Sequence, residues 1–185
     1  MSLFVAIRPD AGAVEDLQHA IEPVRRMPGA NVLRWQSPSQ WHITLAFLGE
    51  PDADVAEEVA ERLSDLSGWP PVRGLSLAGA GCFGRQVLWI GAADDDGLTG
   101  LRALQEAVPP RLRGSGATVD RRPGRPHLTV ARARHGDARA TAAALDGYRG
   151  PRWDVDEVLL VRSSGGPHPE HRVASSVRLG GSPTP

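Results

Sequence analysis

Two short stretches of this 185-residue chain hold the residues best suited to chemistry. WHITLAFLGE at 41–50 sets His42 and Thr44 in an otherwise apolar run, and RPHLTVA at 125–131 repeats the arrangement with His127 and Thr129. In an extended strand, residues i and i+2 share a face, so each histidine projects beside its threonine. An imidazole exchanges protons near neutral pH, and two of them can divide the work of general base and general acid. Two threonine hydroxyls can donate hydrogen bonds to the non-bridging oxygens of a phosphate. Nothing in the set is a strong nucleophile. It suits in-line attack of water on a phosphodiester, one histidine taking the proton of the water and the other protonating the leaving oxygen. A strained cyclic phosphate would need no metal. From the composition, about 0.2 His-x-Thr pairs are expected by chance. Two copies with matched flanks therefore favour a functional role over a merely polar strand face.

The rest of the chain supplies strands and helices to position these pairs. Alternation points Ile43, Leu45 and Phe47, like Leu128 and Val130, away from the histidines into a helix-covered core. The same alternation leaves the small Ala46 and Ala131 on the polar face as a cleft floor. Strands are predicted at 3–7, 32–35, 41–48, 72–82, 86–92, from 118, and at 127–133, 153–162 and 171–179. Helices are predicted at 11–27, from about 52 to 66, from about 96 to a stop or kink at Pro109-Pro110, and at 137–145. Each half of the chain thus holds one His-x-Thr strand followed by a helix. This order predicts an α+β fold with two pseudo-symmetric lobes of antiparallel sheet, helices on the outer faces and a central cleft, all in one domain over 1–185.

Composition narrows the chemistry. All 21 basic residues are arginine, which excludes a Schiff-base lysine, a Walker-type phosphate lysine and a lysine-adenylate ligase mechanism. The single Cys82 excludes an internal disulfide and a cysteine-rich zinc site. With no long apolar segment, neither a signal peptide nor a membrane span is expected, and the cytoplasm is the default setting. The net charge of −1 gives no global field for nucleic acid, so anion binding must be local. Arg111, Arg113, Arg121, Arg122, Arg125, Arg132 and Arg134 form one such cluster leading into the second motif. Trp35 and Trp41 flank the first motif, where Trp41 is expected to pack in the core. His168 and His171 read as solvated loop residues, and His19 and His135 as surface positions.

The stretches LRWQSPSQWHITLAFLGE, VLWIG, GRPHLTVAR and VLLVRSS, with the N-terminal LFVAI, resemble the two-histidine (2H) phosphoesterases over nearly the whole chain. The most similar branch is the RNA 2',3'-cyclic phosphodiesterases, historically called 2'-5' RNA ligases. The resemblance implies hydrolysis of a terminal RNA 2',3'-cyclic phosphate to a 2'-phosphate; the strained substrate needs no metal or cofactor, and a monomer is expected because nothing suggests a coiled coil or a symmetric apolar strip. It implies that His42 donates a proton to the leaving 3' oxygen, that His127 accepts one from water, and that Thr44 and Thr129 hold the phosphate. Arg132 is a candidate for added charge neutralisation, but strand parity puts it on the Leu128 face unless a bulge intervenes. The family often carries an aromatic near the last strand, where this chain has PEHRV. Alternatives are the reverse 2'-5' ligation, hydrolysis of small cyclic nucleotides, and RNA binding without turnover.

Overall fold

The computed structural model describes residues 1–119, 124–133, 135–165 and 169–181. In chain order the elements are β1 (Ser2–Ile7), α1 (Ala11–Arg25), β2 (Leu33–Trp35), β3 (Ile43–Phe47), α2 (Ala53–Leu63), β4 (Val72–Phe83), β5 (Val87–Ala92), α3 (Asp96–Arg111), β6 (His127–Ala133), α4 (Arg139–Ala144), β7 (Arg149–Val155), β8 (Glu157–Ser163) and β9 (His171–Arg178). The fold is α+β. The strands join in the order β7-β4-β5-β6-β3-β1-β8-β9, with β2 beside β6, and every pairing is antiparallel.

The two lobes are the halves of this one sheet, β7-β4-β5-β6 and β3-β1-β8-β9, and the motif strands β3 and β6 meet at its centre. The half β7-β4-β5-β6 comes from the middle of the chain, and the half β3-β1-β8-β9 joins its two ends, since β8 returns to β1. One face of the sheet is covered by helices. Leu17 and Ile21 of α1, Val59 and Leu63 of α2, Leu101, Leu104 and Val108 of α3 and Ala142 of α4 share a core with Leu3, Val5, Ile7, Ile43, Leu88, Ile90, Leu128 and Val130. Burying such side chains contributes about 1.5–3 kcal/mol each. The other face carries the small buried cluster Phe4, Ala6, Leu159 and Val161, and there the histidines project.

Helix ends follow their sequence signals. Asp10 caps α1 through Ala13 N (2.7 Å), and Asp95 caps α3 through the amides of Gly97 and Leu98. Helix α3 differs from expectation by running through Pro109 and Pro110. Its apolar stripe continues to the fully buried Leu112, and this burial keeps the final turn against the core. No strand begins at 118 among the described residues. The strand expected over 153–162 is instead two, β7 and β8, broken at Asp156.

Two bulges alter the expected facing. In β3, Val5 pairs with Ala46 and Ala6 with Thr44, so Leu45 is an extra residue. In β6, Leu88 pairs with Ala131 and Trp89 with Thr129, so Val130 is extra. Each bulge directly follows the motif threonine and inverts the alternation beyond it. Ala46 and Ala131, expected on the cleft floor, are buried in the core instead. Phe47, expected in the core, turns to the histidine face opposite Phe4 and is 47% exposed. Arg132 turns the same way.

No helix among the described residues is long and apolar enough to cross a membrane. Glycine sets the seat of α3: a Cβ on Gly97 would lie 2.6 Å from Leu75 Cα in β4, a backbone atom with no room to yield. Gly97→Ala is therefore expected to destabilise the fold by about 1–3 kcal/mol, the usual effect of overpacking. A lower urea midpoint with unchanged slope would show it.

Candidate active site

The site begins with one register pair, Ile43 opposite Leu128 in β3 and β6. Antiparallel pairing extended by one residue on either side puts His42 across from Thr129 and Thr44 across from His127. The four polar side chains thus form one patch on the open face of the sheet. Behind the patch, the buried Gln105 of α3 donates from Nε2 to the Thr44 carbonyl at 3.3 Å and braces β3 against the helix layer. That contact joins residues 61 apart in the chain, and no motif announces it.

Both imidazoles are fixed in the same way. His42 Nδ1 lies 2.7 Å from the Gln40 carbonyl, and His127 Nδ1 lies 2.7 Å from the Arg125 carbonyl. A carbonyl oxygen only accepts, so in each ring Nδ1 carries the hydrogen and donates it. Nε2 is left as the atom that exchanges a proton. The two rings therefore present the same tautomer with the same atom free.

Aromatic groups back each ring. Phe4 stacks on His42 with centroids 4.7 Å apart and planes 26° apart. His171 sits edge-on to both, 5.1 Å from His42 and 5.4 Å from Phe4. β9 begins at His171, where a strand is expected, but the solvated setting expected for this histidine is corrected: its partner Ser163 is on the Val161 face of β8, and that register brings the ring over Phe4. The donation from Gln40 Nε2 to the Pro169 carbonyl ties the approach to β9 to the turn before His42. His168 lies outside the described residues. On the other side, Phe83 meets His127 edge-on at 4.6 Å and packs on Trp89 at 5.4 Å. The Trp89 ring occupies the space over Gly81, where a Cβ would come within 2.3 Å of it, and the Arg125 guanidinium lies over the ring at 4.7 Å.

Of the arginine cluster, Arg125 and Arg132 belong to this face. Arg111 is turned to the Trp69 ring and the Ala107 carbonyl, Arg113 engages Arg62 through its own carbonyl, and Arg121, Arg122 and Arg134 lie outside the described residues. The β6 bulge puts Arg132 opposite Val87 on the Thr129 side, near enough to His127 to lower its proton affinity. Trp41 is buried as expected, while Trp35 packs partly into the core beneath Arg25. His19 and His135 are exposed. One cavity of about 540 Å³ is lined by Arg102, Gln105 and Arg125 and another of about 390 Å³ by Arg8, Leu159 and Val173; neither is lined by the four motif side chains. Among the described residues, no group of three His, Cys, Asp or Glu side chains is placed to hold a metal ion.

Burial dominates the electrostatics. It pushes His42 down to about 4, with His171, Arg8 and His127 adding like-charge repulsion and only the Gln40 carbonyl opposing. Burial also lowers His127, helped by Arg132 and Arg125, and lowers His171, helped by Arg8. In each of the three rings burial favours the neutral form. Unfolded, His42 titrates at its ordinary 6.5, so between pH 6.5 and 4 the unfolded chain binds the extra proton and stability falls as pH drops. From His42 alone the expected loss is about 3 kcal/mol by pH 4. Denaturant unfolding at several pH values should show this slope, and His42→Gln should flatten it.

The sequence matches the 2'-5' RNA ligase superfamily over residues 11–167. It is 29% identical over 155 residues to a Geobacillus stearothermophilus protein named RNA 2',3'-cyclic phosphodiesterase, covering 80% of this chain and 48% of that one. The chain therefore spans about half of that relative. A protein of the same name from Archaeoglobus fulgidus is 31% identical over 137 residues, covering 71% of this chain and 72% of the relative. Among solved structures, TT0787 of Thermus thermophilus superposes with a TM-score of 0.69 at 26% identity, covering 98% of this chain and 99% of that one. Escherichia coli LigT complexed with 3'-AMP superposes with a TM-score of 0.75 at 24% identity, covering 96% and 97%, a likeness of fold. With a family match across most of its length and a fold shared from end to end, the chain belongs to the 2'-5' RNA ligase superfamily.

Proposed function

We propose that this protein hydrolyses the 2',3'-cyclic phosphate at the end of an RNA to a 2'-phosphomonoester, by a two-histidine acid/base mechanism that uses no metal or cofactor. The observation that carries this reading is the shared patch of His42, Thr44, His127 and Thr129, with both imidazoles held in the Nδ1–H form. The names of the curated relatives agree with it. In the reaction, the oxygen of a water attacks phosphorus while His127 Nε2 takes its proton. The bond from phosphorus to O3' breaks, and Nε2–H of His42 protonates O3' as it leaves. Thr44 and Thr129 donate to the non-bridging oxygens, and Arg132 adds positive charge at one end of the row. The next cycle needs His127 to lose its proton and His42 to regain one.

The deep depression of His42 opposes a donor role in the empty site. A phosphodiester monoanion against the ring reverses this, because an adjacent negative charge favours the imidazolium. The acid is thus formed together with the substrate complex. The unit is read as one bilobal domain acting as a monomer, with the cytoplasm as its expected setting. Reverse 2'-5' ligation would use the same groups, and water at its ordinary concentration favours hydrolysis.

A short RNA ending in a 2',3'-cyclic phosphate should be converted in EDTA to a 2'-phosphate, identified by phosphorus NMR. His42→Ala and His127→Ala should each lower turnover about 10²–10⁴-fold. Thr44→Val and Thr129→Val should each lose roughly 10-fold or more, as expected for a hydrogen bond to a charged group. Turnover unaffected by either histidine substitution would refute the mechanism. Because the phosphate raises the imidazoles, the pH profile of kcat should be displaced to higher pH than that of kcat/KM.

A further inference from the structure

Strand β1 runs beside β3 with Ala6 opposite Thr44 and Ile7 opposite Ile43. One further residue along this pair puts Arg8 across from His42. Ile7 is fully buried against the helices, while Phe4 and Ala6 lie on the histidine face, so alternation turns Arg8 toward the histidines. Its charge is felt there, since it opposes protonation of both His42 and His171. Arg8 is exposed, and among the described residues it forms no ion pair and no side-chain hydrogen bond. The nearby acids are engaged elsewhere: Asp10 caps α1, Arg73 holds Asp154 at 2.6 Å and Arg178 holds Asp156 at 3.1 Å. Glu157 lines the same cavity as Arg8 and is not ion-paired with it. The guanidinium donors are therefore left for a ligand.

The position of Arg8 in the sheet says which atom it meets. Strand β6 carries His127, and β3 and then β1 lie beyond it. In the reaction above, water enters beside His127 and O3' departs beside His42. In-line displacement sets these two oxygens on opposite sides of phosphorus, so O3' leaves toward the side where β1 lies. We infer that Arg8 is a further catalytic residue, whose guanidinium donates a hydrogen bond to O3' as its bond to phosphorus breaks. The electron pair of that bond stays on O3', the proton comes from His42 Nε2, and Arg8 keeps its own protons. Negative charge builds on O3' only as the bond breaks, so this hydrogen bond strengthens in the transition state. The same positive charge makes the His42 imidazolium a stronger acid. This inference rests on the hydrolase reading above.

The test follows single-turnover hydrolysis of one RNA 2',3'-cyclic phosphate across pH by the full chain, unaltered and as Arg8→Met and Arg8→Lys. Arg8→Met should slow the saturated rate about tenfold to a hundredfold, the range for a hydrogen bond to a charged group. The concentration for half-saturation should change little, as for an interaction made only in the transition state. The loss should hold at every pH, and Arg8→Lys should recover part of it. An arginine that acted only through His42 would, on removal, let the imidazolium persist to higher pH. The profile would then move to higher pH with its maximum unchanged. That result, or an unchanged rate, would overturn the inference and leave the hydrolase reading intact. Weaker binding with an unchanged saturated rate would place Arg8 on the ground-state phosphate and overturn it too. Arg8→Gln is the second uncharged variant if Arg8→Met folds poorly, as the urea midpoint of each will show. No turnover by the unaltered protein would refute the hydrolase reading and this inference with it.

Discussion

Everything at the site depends on how β3 and β6 pair. Ile43 and Leu128 are fully buried on the helix-covered face, so burial of two aliphatic side chains fixes the register of the motif strands. A slip of one residue would turn the histidines into the core and the aliphatic residues to solvent, which makes the register strongly specified. The polar patch is the reverse side of a hydrophobic contact. The helices that complete that contact, α3 above all, support the chemistry without touching it. Gln105 extends the support to the carbonyl of Thr44.

The histidines are alike in attachment and differ in surroundings. Each gives its Nδ1 hydrogen to the carbonyl two residues before it, a local bond that either strand forms alone. His42 is enclosed by Phe4 and His171, whereas His127 lies between the exposed edge of Phe83 and the cationic Arg125 and Arg132. Burial and like charge depress both, and His42 more deeply. A negative ligand would relieve that cost at both rings, so in the proposed mechanism binding the anion and arming the acid are the same event.

Much of this was legible before any coordinates. The His-x-Thr repeat, the flanking strands, the four helices and the antiparallel α+β order follow from alternation, helical spacing and turn residues. The bulges were not legible, because period-two alternation has no signal for one inserted residue. Leu45 and Val130 read as ordinary core positions, so alternation puts Phe47 on the wrong face and leaves Arg132 dependent on a bulge that only the structure supplies. The union of the two lobes into a single sheet rests on one pair of opposed residues, Ile43 and Leu128, which neither motif marks. His171 opens an expected strand, but it lies far from Phe4 and His42 in sequence, and no local pattern marks that its ring packs against theirs. Gln105 sits in a helical pattern where a polar residue reads as surface, and only the packing of α3 on β3 gives it a buried partner.

The central claim is that both imidazoles hold Nδ1–H and offer Nε2 to one phosphate. Nitrogen-15 NMR of the histidines, with and without an RNA ending in a 3'-phosphate, tests it most directly. The account expects His42 and His127 to be neutral Nδ1–H tautomers in the free protein at pH 7, and both to titrate at higher pH when the RNA phosphate is bound. An Nε2–H tautomer at either ring, or a phosphate response at only one of them, would contradict it.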